Sequence, residues 1–248
     1  MHEERMYMDK SNLEYYLDLN PDHRQRYELA IKHAQGLVVA DIACGCGYGT
    51  YLLSEKAKQV DGYDVSLDAL NHANKVFLSK NTQFTNAADI TDKKNFYDLI
   101  ISFETIEHMK ESDGDEFLHR LYNALKSDGT LIISTPINNS SQKINVTPFH
   151  LREYDVQEFK DKLKKNGFYS KEFIYQGERI MNKPIVGIPL KKMLSLKVHK
   201  MLPRMIRNWL LLKMRKSVNN NQPIFIADPT GMSVQIAICH KISVERAV

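Results

Sequence analysis

The chain has 248 residues, 43% of them hydrophobic and 26% charged, with a net charge of +4. This composition excludes disorder along the whole chain and fits one sizeable α/β domain with insertions, or one domain with a small cap. Three cysteines without framework spacing, no apolar run of about 18 residues and no apolar segment near the start predict a cytoplasmic protein without a signal peptide or transmembrane helix.

The predicted elements alternate between strands and helices along most of the chain. Residues 11–34 have apolar side chains at helical spacing, and Pro21 divides them into two helices. A short, continuously apolar run predicts a strand buried on both faces at residues 37–42. Further strands are predicted at residues 59–63, 83–86, 98–103, 130–135, 170–176 and 233–241. Helices are predicted between them at residues 49–58, 67–78, 116–125, which Gly129 closes, and 156–166. This alternation predicts a parallel sheet with helices on both faces.

A glycine-rich turn follows the first predicted strand, in the segment Asp41-Ile42-Ala43-Cys44-Gly45-Cys46-Gly47-Tyr48-Gly49-Thr50. Such a turn lets the backbone approach a ligand and places a helix N-terminus against it. A dinucleotide fingerprint read from Gly45 needs a third glycine where Thr50 stands, and a P-loop needs a Gly-Lys-Ser/Thr triplet that the sequence lacks. Cys44 and Cys46 have no second ligand pair nearby, so no metal site is expected.

The remaining pattern, Asp41-x-Ala43-x-Gly45-x-Gly47, resembles motif I of the class I S-adenosylmethionine-dependent methyltransferases, with Ala43 in place of the first glycine. Segments that resemble the family follow in order over residues 37–136, including 96–108 around the fourth strand and 121–131 before the fifth. The resemblance implies a Rossmann-like, seven-stranded, mostly parallel sheet with an antiparallel last strand. It also implies S-adenosylmethionine as cofactor and S-adenosylhomocysteine as product.

The same resemblance implies individual cofactor contacts. Asp64, nineteen residues after Gly45 at a strand end, would accept both ribose hydroxyls, although alone it would be a solvated carboxylate. Asp89 would lie near the adenine amino group, and Asp41 would act through the turn on the methionine end. Val65 and Ile90 would form apolar walls of the adenine pocket, or they are ordinary core residues. The predicted cofactor contacts are Arg26, Asp41, Ala43, Gly45, Gly47, Asp64, Val65, Asp89, Ile90 and Phe103.

Two features near the predicted turn concern the methyl acceptor. Glu4-Arg5-Met6 and residues 23–30 resemble the N-terminal helical cap of a bacterial branch associated with methylation of sugars and cell-surface polysaccharides. There Arg26 would contact the cofactor carboxylate and Tyr7 or His23 would cover the site; the alternative is a surface helix of mixed charge. Glu104 and Glu107-His108 follow the fourth strand, at the end where open α/β sheets bind ligands, so they are candidate acceptor contacts. The alternative is a carboxylate at a helix start that the helix dipole stabilises.

A third feature follows the fifth strand. Residues 147–154 resemble an Asn-Pro-Phe-His-x-x-Glu-Tyr segment of the same branch. His150, or His108 as the competing base, would remove the proton of a hydroxyl acceptor. The alternative for His150 is a hydrogen bond that locks the loop. Arg152 and Glu153 are further candidate acceptor contacts.

The basic residues are concentrated in one segment, because residues 179–227 contain eleven Lys and Arg and no Asp or Glu. We predict a helical insertion there, which would act as a lid or homodimer element, bind a phosphate-bearing acceptor, or touch anionic lipid through residues 190–216. Nucleic acid is not an expected partner. The predicted domains are a cap (1–35), a core (36–178 and 228–248) and this insertion.

Together these patterns predict O-methylation of a sugar or other small hydroxyl acceptor. N-methylation of a small amine or phospho-amine is the alternative, and acceptors of a quinone pathway stay open. A non-catalytic scaffold that binds the cofactor is the alternative from another class, and a nicotinamide oxidoreductase is a weaker one.

Overall fold

The computed structural model describes residues 7–138, 149–177 and 233–242. The strands in these ranges are β1 (Val38–Ile42), β2 (Gln59–Asp64), β3 (Thr82–Asn86), β4 (Tyr97–Ser102), β5 (Leu125–Pro136), β6 (Phe168–Gln176) and β7 (Val234–Lys241). The helices are α1 (Leu13–Leu19), α2 (Pro21–His33), α3 (Tyr48–Leu53), α4 (Leu67–Val76), α5 (Glu111–Ala124) and α6 (Val156–Lys165). Two 3-10 turns, Ala87–Asp92 and Ile106–His108, follow β3 and β4.

The strands form one seven-stranded sheet in the order β3-β2-β1-β4-β5-β7-β6. Strand β7 is antiparallel to both of its neighbours, and the other pairs are parallel. The predicted Rossmann-like, mostly parallel sheet with an antiparallel last strand is therefore confirmed. The order reverses between β1 and β4, so the crevice at their carboxyl ends is the place where such sheets bind ligands.

Alternate residues of the central strands pack on opposite faces of the sheet. Ala40 and Ile100 belong to the cluster that packs on α5 and α6, whereas Val39 and Leu99 belong to the cluster that packs on α2 and α3. This period of two is the geometry of a strand covered on both sides. Both faces are therefore covered by helices, as predicted.

The two cap helices pack directly on the site region. Leu13 and Leu17 of α1 share a buried cluster with Cys44 and Cys46 of the glycine-rich turn and with Phe77 beyond α4. Full burial of one such leucine contributes about 1.5–3 kcal/mol. The cap is thus bound to the turn that it covers.

Three predicted boundaries were wrong, and tertiary hydrogen bonds set two of them. Helix α3 ends at Leu53 and not at residue 58, since the Lys58 N–H donates to the Leu37 carbonyl at 2.8 Å and the chain turns into β2. Helix α5 begins at Glu111 and not at residue 116. Strand β5 begins at Leu125, paired with Tyr97, so Gly129 lies within the strand and does not close a helix.

Two sequence predictions concern residues that the structure does not describe. The basic insertion at 179–227 lies outside the described ranges, as do residues 147 and 148 of the predicted acceptor segment. Within the described ranges, no helix has both the length and the apolar character needed to cross a membrane.

Candidate active site

The glycine-rich turn between β1 and α3 has a backbone conformation that favours glycine. Ala43, Gly45 and Gly47 have φ values of 60°, 56° and 90°. A Cβ atom at Gly47 would lie 2.6 Å from the Cβ of Ala73, so both the conformation and the space require glycine there. Ala43, which departs from the family pattern, adopts the same left-handed region at a steric cost.

A cavity of about 920 Å³ lies beside this turn, at the carboxyl ends of β1, β2 and β4. Its volume is within the range of small-molecule and cofactor sites. The predicted site residues that line it are His23, Arg26, Ala43, Gly45, Asp64, Val65, Ile90, Phe103, Glu104 and His108. The fold therefore brings together residues of the cap, the turn and the ends of β2 and β4.

Asp64 ends β2, and two backbone N–H groups fix its carboxylate. The N–H of Gly45 donates to Oδ2 at 2.9 Å, and the N–H of Ser66 donates to Oδ1 at 2.8 Å. These bonds join the end of β2 to the glycine-rich turn. A fixed carboxylate on a cavity wall is the group that the ribose prediction requires.

Asp41 lies behind the turn and does not line the cavity, and its carboxyl is 1% exposed. The Thr50 hydroxyl donates to Oδ2 at 2.8 Å, and the Tyr27 hydroxyl donates to Oδ1 at 3.4 Å. Burial raises the pKa of Asp41 to about 7; both hydrogen bonds lower it and the charge of Asp64 raises it further. Asp41 therefore acts on the turn from the inside, and a cation in the cavity would favour its ionised form.

The cap contributes a buried arginine and an imidazole to the cavity wall. Arg26 is 3% exposed, and its Nη1 donates to Oε1 of Gln176 at 2.9 Å. His23 Nδ1 lies 2.8 Å from the hydroxyl of Tyr48. Burial, and then the charge of Arg26, lower the pKa of His23, so this imidazole is neutral at neutral pH. Tyr16 and Tyr48 also line the cavity, and sequence reasoning missed both.

Several predicted residues lie outside the cavity wall. Tyr7 is 48% exposed, and its ring contacts that of His72, with the ring centroids 5.1 Å apart. Asp89 is exposed in the 3-10 turn, next to the buried Ile90, and Gly47 is the N-cap residue immediately before α3. Arg152 forms ion pairs with one carboxylate of α5 and one of α6. The proposed roles of these residues stay predictions.

Of the two predicted bases, His108 lines the cavity, whereas His150 does not, although its neighbours Phe149 and Leu151 do. The rings of His108 and His150 are in edge-on contact, with centroids 5.1 Å apart. His150 Nδ1 lies 2.5 Å from Oε1 of Glu153, a carboxylate that is 1% exposed. His108 Nδ1 lies 3.2 Å from the carbonyl of Phe149. Glu153 thus contacts His150 and does not line the cavity, where it was predicted to bind acceptor.

Glu107 is fully buried behind the two histidines. The Thr135 hydroxyl donates to Oε2 at 3.0 Å, whereas Oε1 has no hydrogen-bond partner among the described residues. Burial, with the nearby charge of Glu104, raises the pKa of Glu107 well above its ordinary value. The backbone N–H groups of Leu151 and Arg152 donate to the Glu107 carbonyl, which ties the two segments together.

Helix α5 lines the cavity with one face that sequence reasoning missed. The lining residues are Asp113, Glu116, Phe117, Arg120 and Leu121. Their spacing is that of neighbours on one side of a helix. This pattern could have been found from the sequence, but the predicted helix began too late to include Asp113.

Residues 13–174 match the sequence model of a methyltransferase domain. A probable S-adenosylmethionine-dependent methyltransferase of Mycolicibacterium smegmatis is 26% identical over 149 residues, covering 59% of this chain and 57% of that protein. A ubiquinone biosynthesis O-methyltransferase of Bradyrhizobium diazoefficiens is 35% identical over 104 residues, 40% of each chain. A phosphoethanolamine N-methyltransferase of Arabidopsis thaliana is 32% identical over 146 residues, 54% of this chain and 29% of that one.

The chain thus spans between 29% and 57% of the length of these relatives. The match to the domain family itself covers well over half of the chain. The chain therefore belongs to the class I S-adenosylmethionine-dependent methyltransferase family, whose cofactor is S-adenosylmethionine.

Proposed function

We propose that the protein transfers the methyl group of S-adenosylmethionine to a hydroxyl group of a small or carbohydrate-like acceptor. The observation that carries this proposal is an imidazole pair, in which His108 lines the cavity and His150, outside the lining, contacts its ring. A hydroxyl acceptor must lose its proton as the new bond forms, and imidazole titrates near neutral pH.

The residues around the cavity fit the cofactor. A Cβ atom at Gly45 would meet no atom within 4 Å, so the turn leaves open space for a ligand beside its backbone. Asp64 would hold the ribose, and Arg26 would hold the carboxylate of the methionine moiety. When bound, S-adenosylmethionine supplies an electrophilic methyl group on a positively charged sulfur. Glu104 on the wall would place negative charge near that cation, and the cation would favour the ionised form of Asp41 behind the turn.

Glu153 gives His150 the orientation that a base requires. A carboxylate accepts a proton donor, so the hydrogen bond to Glu153 favours the tautomer with the proton on Nδ1 and the lone pair on Nε2. The Phe149 carbonyl has the same effect on His108. Such a base contributes about 10²- to 10⁴-fold to a rate.

Methylation of an amine is the second candidate. Asp113 and Glu116 of α5 line the cavity and would attract a cationic amine, and one relative is a phosphoethanolamine N-methyltransferase. The hydroxyl acceptor is preferred because a neutral amine needs orientation more than a base. The ubiquinone O-methyltransferase relative and the resemblance of the cap to the sugar-modifying branch also support a hydroxyl acceptor.

The test is formation of S-adenosylhomocysteine with a panel of nucleotide sugars, catechols and phospho-amines. We expect turnover with a hydroxyl acceptor and a loss of at least 100-fold in kcat for His150→Ala or His108→Ala. His119→Ala, an exposed histidine of α5, is the matched control. Turnover only with phospho-amines would favour the second candidate. Retained cofactor binding without turnover on any acceptor would favour a scaffold.

A further inference from the structure

Glu107, His108 and His150 form a cluster with the composition of a metal site. Each residue offers one nitrogen or oxygen ligand atom, and these atoms all lie within 4.8 Å of one another. The first two residues follow β4, whereas His150 follows β5. The hydrogen bonds from Leu151 and Arg152 to the Glu107 carbonyl, 2.8 and 3.0 Å long, hold the two segments in this arrangement.

Each member of the cluster is also anchored from behind. His150 contacts the Glu153 carboxylate, His108 contacts the Phe149 carbonyl, and Glu107 accepts from Thr135. In metal sites, the ring nitrogen that is not a ligand is held by a carboxylate or a backbone carbonyl. Both histidines have such a partner here.

Glu107 supplies an independent observation. Its Oε1 atom is buried and has no hydrogen-bond partner among the described residues. A buried polar atom without a partner costs about 1–3 kcal/mol, and more when it is charged. A cation in the cluster would satisfy this oxygen.

We propose that Glu107, His108 and His150 bind one divalent transition-metal ion, of the class of Mn²⁺, Co²⁺ or Zn²⁺, beside the cavity wall that His108 lines. Two imidazoles and one carboxylate are the ligands of open metal sites that keep a position for substrate. Metal–ligand bonds of about 2.0–2.2 Å separate the ligand atoms by about 3.3–3.6 Å. Side-chain movements of about 1 Å would therefore close the present cluster around an ion. The sequence had suggested no metal site, because its ligands come from two separate segments.

The role of the ion rests on the proposed function, although its binding does not. An acceptor hydroxyl bound to the ion would lose its proton more readily, so the imidazoles would act through the ion and not as free bases. The acceptor O–H bond breaks and its proton passes to solvent. The O–CH₃ bond forms as the S–CH₃ bond breaks, and that electron pair stays on sulfur.

The test uses the 248-residue chain without a polyhistidine tag, stripped of metal with a chelator. Titration with Co²⁺, followed by visible absorption, and dialysis against Zn²⁺ or Mn²⁺ should give one ion per chain. Glu107→Gln, His108→Ala and His150→Ala should each weaken binding by at least about 100-fold, and Glu153→Gln by about 10- to 100-fold. His119→Ala is the control, and retained binding of S-adenosylhomocysteine shows that each variant is folded.

Unchanged metal affinity in folded Glu107, His108 and His150 variants would overturn the proposal, as would the absence of stoichiometric binding. Full turnover after chelation would overturn the role of the ion toward the acceptor. Stoichiometric binding that depends on these residues, without turnover on any acceptor, would support the metal site and count against the proposed methyl transfer. The two proposals can therefore fail separately.

Discussion

Replacement of Asp41 by Asn tests whether this buried carboxyl is protonated in the folded protein. Asp41 is 1% exposed, and burial raises its pKa from an ordinary value of 3.8 to about 7. The folded state therefore holds a proton that the unfolded state releases above about pH 4. Asn is nearly isosteric but has no such proton to lose.

The size of the effect follows from the two pKa values. A pKa difference of one is worth about 1.4 kcal/mol, so the difference between 3.8 and about 7 corresponds to about 4 kcal/mol. Because the folded pKa of this acid is raised, its contribution is fully present below pH 3.8 and is lost as the pH rises through about 7. The wild type should therefore lose stability relative to Asp41→Asn across this window.

The assay is urea unfolding of both proteins at several pH values between about 4 and 8. The unfolding free energy of the wild type minus that of Asp41→Asn should fall by up to about 4 kcal/mol as the pH increases. Asp68→Asn, which changes an exposed carboxylate of α4, is the control and should give curves parallel to the wild type. A constant difference between wild type and Asp41→Asn would refute the argument, since Asp41 would then be ionised throughout.

Three further substitutions test the turn, the cofactor site and the α5–α6 contact. Gly49→Ala places a Cβ atom 1.9 Å from the Tyr27 ring, so urea unfolding should show a loss of about 1–3 kcal/mol; an unchanged midpoint would contradict this. Asp64→Asn should weaken binding of S-adenosylhomocysteine by about 10- to 150-fold in calorimetry, because a charged hydrogen bond is worth about 1.5–3 kcal/mol; equal affinity would remove the ribose assignment. Lys162→Met removes a buried ammonium that lies 2.7 Å from Glu111 Oε1 and 2.9 Å from an Asp115 oxygen. Thermal unfolding should show a loss of about 1–3 kcal/mol in unfolding free energy, and an unchanged Tm would contradict this.

The fold could be predicted because its signals are local. Strands β1 and β4 are buried on both faces, so their residues form continuous apolar runs. The boundaries depend on contacts that are distant in sequence. Strand β5 was predicted to begin at Thr130, but it begins five residues earlier, where Leu125 pairs with Tyr97. No local sequence pattern encodes that pairing.

The residues that line the cavity at the glycine-rich turn could be predicted for the same reason. Residues 41–47 are contiguous and Asp64 follows the adjacent strand, so a spacing argument reaches them. The acceptor side depends on tertiary pairing. The sequence identified Glu107, His108 and His150 as separate candidates, but only the contact between the segments after β4 and β5 shows them as one cluster.

Two buried carboxyls flank the cavity, and this placement has a common physical meaning. Asp41 lies behind the glycine-rich turn and Glu107 behind the imidazole pair, and burial raises the pKa of both. Buried acids destabilise the folded chain when they ionise, unless a cation compensates them. In the proposed arrangement, the cofactor would place positive charge on the Asp41 side and the ion would place it on the Glu107 side. Each cation would therefore favour the ionised form of the carboxyl behind it, which couples the ionisation of that carboxyl to ligand binding.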